Sequence, residues 1–273
     1  MVQNLVFFGD SFTSQPFDEE NPDRAFTIDK EVCVTNRLEE LTGINSINFS
    51  SSGKSTTYIT TLFTKFYNKF PDLAKNSIFF FCLTCMHRGE FNNRKNKEVF
   101  FFDNYKNKRS IYTNYGIPKY NIEFPSNNSK SREYIEHLTS TTGIPYKEFK
   151  NFYSLYYSKF SNNTAVYWEN IQRLQGLQAF IKEKNLKAVV FQGLDPMLFT
   201  DGDYLTEEQR KKDNIRTSDN ISKYIDLFKF PGGHLSWAKY IYSYDSKYHL
   251  GHPNSYDHKL FGDILYEHIK DLL

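Results

Sequence analysis

The apolar positions of the first 85 residues switch repeatedly between two patterns. Leu5-Val6-Phe7-Phe8 is a short unbroken apolar run that stops at Gly9, which predicts a buried strand. Within 31–42, Val34, Leu38 and Leu41 keep helical spacing, and Gly43 supplies a stop. Ile47-Asn48-Phe49 predicts a second short strand. After Gly53, the residues Ile59, Leu62, Phe63, Phe66 and Phe70 return to helical spacing until Pro71 ends the element. Residues 78–83 are continuously apolar, the pattern of a central strand covered on both faces. Strand, helix, strand, helix, strand in this order predicts an α/β fold with a mostly parallel sheet.

The pattern then breaks. Residues 91–163 are rich in Asn, Lys, Ser, Tyr and Phe without clean periodicity, and read as an inserted cap with helical pieces near 131–139 and 145–160. Regular patterning resumes at 165, where Trp168, Ile171, Leu174, Leu177 and Ile181 line one face of a long helix. Ala188-Val189-Val190-Phe191 predicts another buried strand ending at Gly193. Residues 201–222 are polar, and 236–244 fit helix and strand equally. Leu260, Phe261, Ile264, Leu265 and Leu272 mark an amphipathic C-terminal helix. The expected architecture is a single domain over 1–273. It is a three-layer α/β sandwich with a flavodoxin-like, mostly parallel central sheet and a cap at about 91–163.

Composition changes this picture in two places. Aromatic residues make up 18% of the chain, with 26 Phe and 20 Tyr, so either the core is ring-rich or a surface displays rings for binding. Within 94–109, six basic residues stand against Glu98 and Asp103. Such a stretch can contact a polyanion, but a solvated cap with a small aromatic core is the simpler reading. The net charge of +2 gives no general attraction to nucleic acid, which is not expected as a partner. Three Cys do not make a disulfide framework and suit a reducing compartment. No membrane-length apolar run occurs, and the first residues lack the basic region of a signal peptide. A soluble, cytoplasmic protein is expected.

Candidate chemistry begins at Phe8-Gly9-Asp10-Ser11-Phe12, where a strand runs into a glycine and a serine follows. In an open α/β sheet, ligands bind beyond the carboxyl ends of the strands. A serine there can act as a nucleophile if a base reaches it. The alternative is that Asp10 and Ser11 only cap a turn. A candidate base lies near the other end of the chain, in Gly251-His252-Pro253-Asn254, directly before the last helix.

Taken in order, Gly9-Asp10-Ser11, Gly53 in Ser52-Gly53-Lys54-Ser55, and His252-Pro253-Asn254 resemble three of the four sequence blocks of the SGNH (GDSL-like) hydrolases. The resemblance spans the chain but rests on short blocks. It implies an ester hydrolase with Ser11 as nucleophile and His252 as general base. The backbone amides of Ser11 and Gly53 then belong to the oxyanion hole. It implies no cofactor and no metal. It points to a small-molecule or carbohydrate ester as substrate, for example an acetyl ester.

The chain departs from that family in two blocks. Where an asparagine is usual after the third strand, it has Leu83-Thr84-Cys85-Met86-His87-Arg88-Gly89-Glu90. This is similar to a Thr-x-x-x-Arg-x-Glu variant of phage-encoded members, which would make the protein virion-associated if it has that origin. Thr84 then stands as the third oxyanion donor, and Asp10, Arg88 and Glu90 as candidate contacts to substrate. Arg88 and Glu90 forming a local ion pair is the alternative. The usual Asp three residues before the histidine is replaced by His249. The group orienting His252 is therefore Asp245, Asp195 or a backbone carbonyl, or the site is a Ser-His dyad.

Other readings compete. His249, His252 and His258 invite a metal, but Gly251 and Pro253 make the segment a loop, so one-face helical spacing does not apply. Cys82, Cys85 and His87 resemble half a zinc site, but Cys82 lies inside an apolar strand and reads as a buried thiol. A site that has lost catalysis and serves as a binding module, and an acyltransferase using the same Ser-His pair, remain as alternative functions.

Overall fold

A computed structural model describes residues 2–14, 33–51, 54–84, 86, 89–92, 99–105, 108–112, 163–193 and 253–273, with 145, 147–148, 151, 155, 221 and 223–226 as isolated stretches. Of Ser11, the strands between 89 and 112, and residues 163–166, only the backbone is described. Strand β1 (Asn4–Phe8) runs into helix α1 (Ser11–Ser14). Then come α2 (Val34–Thr42), β2 (Asn45–Asn48), α3 (Thr56–Lys69), the short α4 (Pro71–Lys75) and β3 (Ser77–Leu83). Strands β4 (Gly89–Asn92), β5 (Val99–Tyr105) and β6 (Lys108–Tyr112) follow. The described chain ends with α5 (Asn163–Glu183), β7 (Lys187–Gln192), α6 (Ser255–Ile269) and a final 3-10 turn, Lys270–Leu272.

The main sheet has the order β2-β1-β3-β7 with every neighbouring pair parallel. This is the doubly wound, flavodoxin-like arrangement expected from the sequence. Side chains alternate across it, as the period of two requires. Leu5, Phe7, Ile78, Phe80, Val189 and Phe191 face one layer, with Val34 and Leu38 of α2 and Phe261 and Leu265 of α6. Val6, Phe8, Phe79, Phe81 and Val190 face the other, with Ile59 and Phe63 of α3 and Ile171 and Leu174 of α5. The result is a three-layer sandwich with β3 buried along its whole length.

Part of the aromatic excess lies in this core. The largest fully buried side chains among the described residues are all Phe. Phe7 and Phe80 stack at 4.3 Å between centroids across the β1–β3 pair. Each such ring removed from water stabilises the fold by about 1.5–3 kcal/mol.

Several expectations are corrected in detail. Trp168 does not join the buried stripe of α5: it is 44% exposed and packs edge-on against Tyr167 and Tyr224. Four residues before Ile171 comes Tyr167, and that ring continues the apolar face. Pro71 ends α3 but also begins α4, because proline suits a first helical position, where its missing N–H is no loss. The region after residue 88 is not without regular structure. Strands β4, β5 and β6 pair as an antiparallel sheet. Residues 131–139, 201–220 and 236–244 lie outside the described residues.

Candidate active site

All four parallel strands end at one edge, and the turn after β1 is built there. Asp10 is fully buried. Its Oδ1 accepts the N–H of Phe12 at 3.0 Å, and its carbonyl accepts the N–H of Thr13. This starts α1 at Ser11 without an intervening loop. Phe12 is fully buried and plugs the turn into the core. The β2 end clamps the same turn: Thr13 donates its hydroxyl to Ser50 Oγ at 2.8 Å, and Asn48 donates its side-chain amide to the Thr13 carbonyl. Of the alternative in which Asp10 and Ser11 only cap a turn, the capping is seen at Asp10.

Gly9 is required here by packing. A Cβ at this position would meet the Thr13 hydroxyl and come within 2.8 Å of Cys82 Cβ. Gly193 is held as closely: its Cβ would lie 2.5 Å from Cys82 Sγ. The side chain of Cys82, buried as its place in β3 predicts, thus lies between two glycines that follow β1 and β7, with its Cβ toward Gly9 and its Sγ toward Gly193.

Thr84 directly follows β3 and is 1% exposed. Its hydroxyl is buried, with no hydrogen-bond partner among the described residues. Beside it, Gln192 closes β7 and donates its amide to the Thr84 carbonyl at 2.8 Å and to the Leu83 carbonyl at 3.3 Å. In this strand order, the chain leaves in opposite directions from β1 and β3, and their carboxyl ends are the switch point at which open α/β sheets bind ligands. The Gly9-Asp10-Ser11 turn and Thr84 end those two neighbouring strands.

The C-terminal helix enters at the same edge. Asn254 caps α6 by accepting from Asp257 N–H, while Asp257 Oδ2 accepts from Asn254 N–H. One turn in, His258 is fully buried, and its Nδ1 accepts the Val34 N–H at the start of α2. Cys33, one residue earlier, donates its thiol to the Ser14 carbonyl at the end of α1. At the opposite edge, Lys187 at the start of β7 donates to the Leu272 carbonyl just beyond α6. Pro253, just before the Asn254 cap, is buried. The role of His258 is to cap α2 in place of Cys33, whose side chain makes no cap bond.

Of the other site candidates, Gly53, Arg88, Asp195, Asp245, His249 and His252 lie outside the described residues, as do Cys85 and His87. Glu90 is placed on β4 by its backbone alone. Two residues at this edge carry no signal in the sequence motifs, Gln192 and Gly193. The hint available was a polar residue and a glycine closing an otherwise apolar strand.

Fold and edge together define a doubly wound α/β protein with buried polar residues at its strand-order switch point. No family model matches the chain, and no curated protein matches it. Solved structures similar to it over nearly the whole chain include the psychrotrophic esterase EstA from Pseudoalteromonas sp., at 12% identity and TM-score 0.48, covering 99% of this chain and 98% of that one. The lipase/acylhydrolase from Enterococcus faecalis is similar at 14% identity and TM-score 0.42, covering 100% and 97%. Axe2, an acetylxylan esterase from Geobacillus stearothermophilus, is similar at 12% identity and TM-score 0.43, covering 98% and 94%. Among the described residues, no helix is long and apolar enough to cross a membrane.

Proposed function

We propose that the protein is a serine esterase of the SGNH type that cleaves small acyl esters, acetyl esters on carbohydrate being the favoured class. One observation carries the reading. The Gly9-Asp10-Ser11 turn and the buried Thr84 hydroxyl end adjacent parallel strands at the switch point of the sheet. A hydroxyl kept buried without a partner costs stability, about 1–3 kcal/mol, unless a ligand uses it.

In this reading Ser11 Oγ attacks the ester carbonyl while His252 takes its proton. The carbonyl oxygen becomes an oxyanion, held by the backbone N–H groups of Ser11 and Gly53 and by the Thr84 hydroxyl. Collapse breaks the bond to the alcohol, which leaves with the proton from His252. Water then attacks the acyl-serine by the same route and releases the acid. Asp195 or Asp245 orients His252, and Asp10 holds the turn that presents Ser11. Arg88 and Glu90, in the segment similar to the phage-encoded variant, contact the substrate.

The test is turnover of p-nitrophenyl acetate by the full chain and by Ser11→Ala and His252→Ala. The expected result is saturable hydrolysis by the wild type, lost in both variants. Equal rates in all three proteins refute the reading.

A further inference from the structure

We infer that Gln192 is a positioning residue for the oxyanion hole: its buried side-chain amide fixes the backbone of Thr84 and so holds the Thr84 hydroxyl in place at the carboxyl edge of the sheet. This rests on the reading of Thr84 as an oxyanion donor.

The geometry has three parts. First, the end of Gln192 that faces β3 meets two carbonyl oxygens, those of Leu83 and Thr84. An acceptor cannot sit there, so the amide nitrogen does. Second, the shorter of the two bonds, 2.8 Å, goes to Thr84, one residue past the end of β3, where ladder pairing with β7 has stopped at the Leu83–Gln192 pair. The side chain extends the grip of β7 by one residue. Third, Gly193 N–H donates to the Leu83 carbonyl at 2.8 Å, and the lack of a Cβ lets β7 close on β3. Gln192, the last residue of β7, and Gly193 directly after it thus lock Leu83 and Thr84 at the end of β3.

Gln192 is 1% exposed, and burying an amide in a sheet this apolar is unfavourable unless its bonds are needed. Its neighbours in β7, Val189, Val190 and Phe191, are all apolar. A branched apolar residue would continue that strand. The glutamine is found at the one position that reaches past the ladder to Thr84. An oxyanion donor works by being held in place before charge develops, so what fixes it contributes to rate and not to substrate binding.

The experiment compares Gln192→Leu, Thr84→Val and the double variant in the full chain with p-nitrophenyl acetate. The expected result is a fall in kcat of about 10²-fold for Gln192→Leu, as for a displaced catalytic group, with KM little changed. The double variant should be no slower than Thr84→Val alone, because both changes remove the same interaction. A fall that multiplies with that of Thr84→Val, or a rise in KM alone, overturns the proposal. If Gln192→Leu does not fold, Gln192→Glu, equal in size, carries the same comparison. A crystal structure of the variant gives a readout independent of turnover. Thr84 should shift away from its wild-type position, and an unmoved Thr84 overturns the proposal even if no ester is cleaved. Absence of turnover in the wild type with a shifted Thr84 would instead overturn the esterase reading, and with it the oxyanion role, while leaving the hold of Gln192 on the Thr84 backbone.

Discussion

The two edges of the main sheet are made from the same four strands but solve different problems. At the amino edge the chain enters quietly. Gln3 and Asn4 donate backbone N–H groups to the Asn76 carbonyl, and Ser77 is buried with its hydroxyl satisfied by Leu73. Lys187 reaches over to the C-terminal turn. At the carboxyl edge, Asp10, Thr13, Ser55, Thr84 and Gln192 are all buried, and two glycines sit where no side chain fits. Burying polar groups is unfavourable without bonds to match. Of these five, four have hydrogen bonds that hold turns and strand ends. The Thr84 hydroxyl alone has no partner among the described residues, which is where function and not stability has to account for it.

That contrast can be broken by substitution. The largest effect is expected from Thr84→Val. Loss of an oxyanion donor should lower kcat about 10²–10³-fold, while the melting temperature stays level or rises, since the hydroxyl has no partner among the described residues. A variant that is both slower and less stable would show that the hydroxyl is structural. Gly9→Ala should come next, at about 2–3 kcal/mol in denaturant unfolding, because the added Cβ meets Thr13 and Cys82 and the site has no room to relax. Gly43→Ala, remote from the site, should cost less, about 1 kcal/mol, as the price of a left-handed φ of 68° with open space around it. Smallest is Arg37→Met. Its guanidinium bonds Asp263 and Glu40, which hold its pKa above the ordinary arginine value. The pair is part-exposed, so about 0.5 kcal/mol is expected from thermal unfolding at low salt, less at high salt. If the last two changes lowered activity as much as Thr84→Val, the difference between the edges would have no functional meaning.

Much of the carboxyl edge was legible in sequence because it is local. A strand that ends in Gly-Asp-Ser announces both its turn and its serine, and the turn seen at Asp10 through Phe12 is made by residues two apart. The unbroken apolar run of β3 announced its central place. What could not be read is held together across the chain. Gln192 grips a residue 108 positions earlier, and no local pattern encodes that. The same holds for His258, which looked like a third histidine of a metal motif and serves instead to cap α2. Strands β4 to β6 were missed for another reason. The run Phe100-Phe101-Phe102 does not alternate, and the lysines around it dilute any period.

The central claim is that Ser11 is the reacting residue of this edge. It is tested most directly by treating the full chain with a fluorophosphonate and mapping the adduct by peptide mass spectrometry. The account predicts a single phosphonyl group on Ser11, absent in Ser11→Ala and formed much more slowly in His252→Ala. No adduct under any condition, or an adduct that persists when Ser11 is replaced, would contradict it.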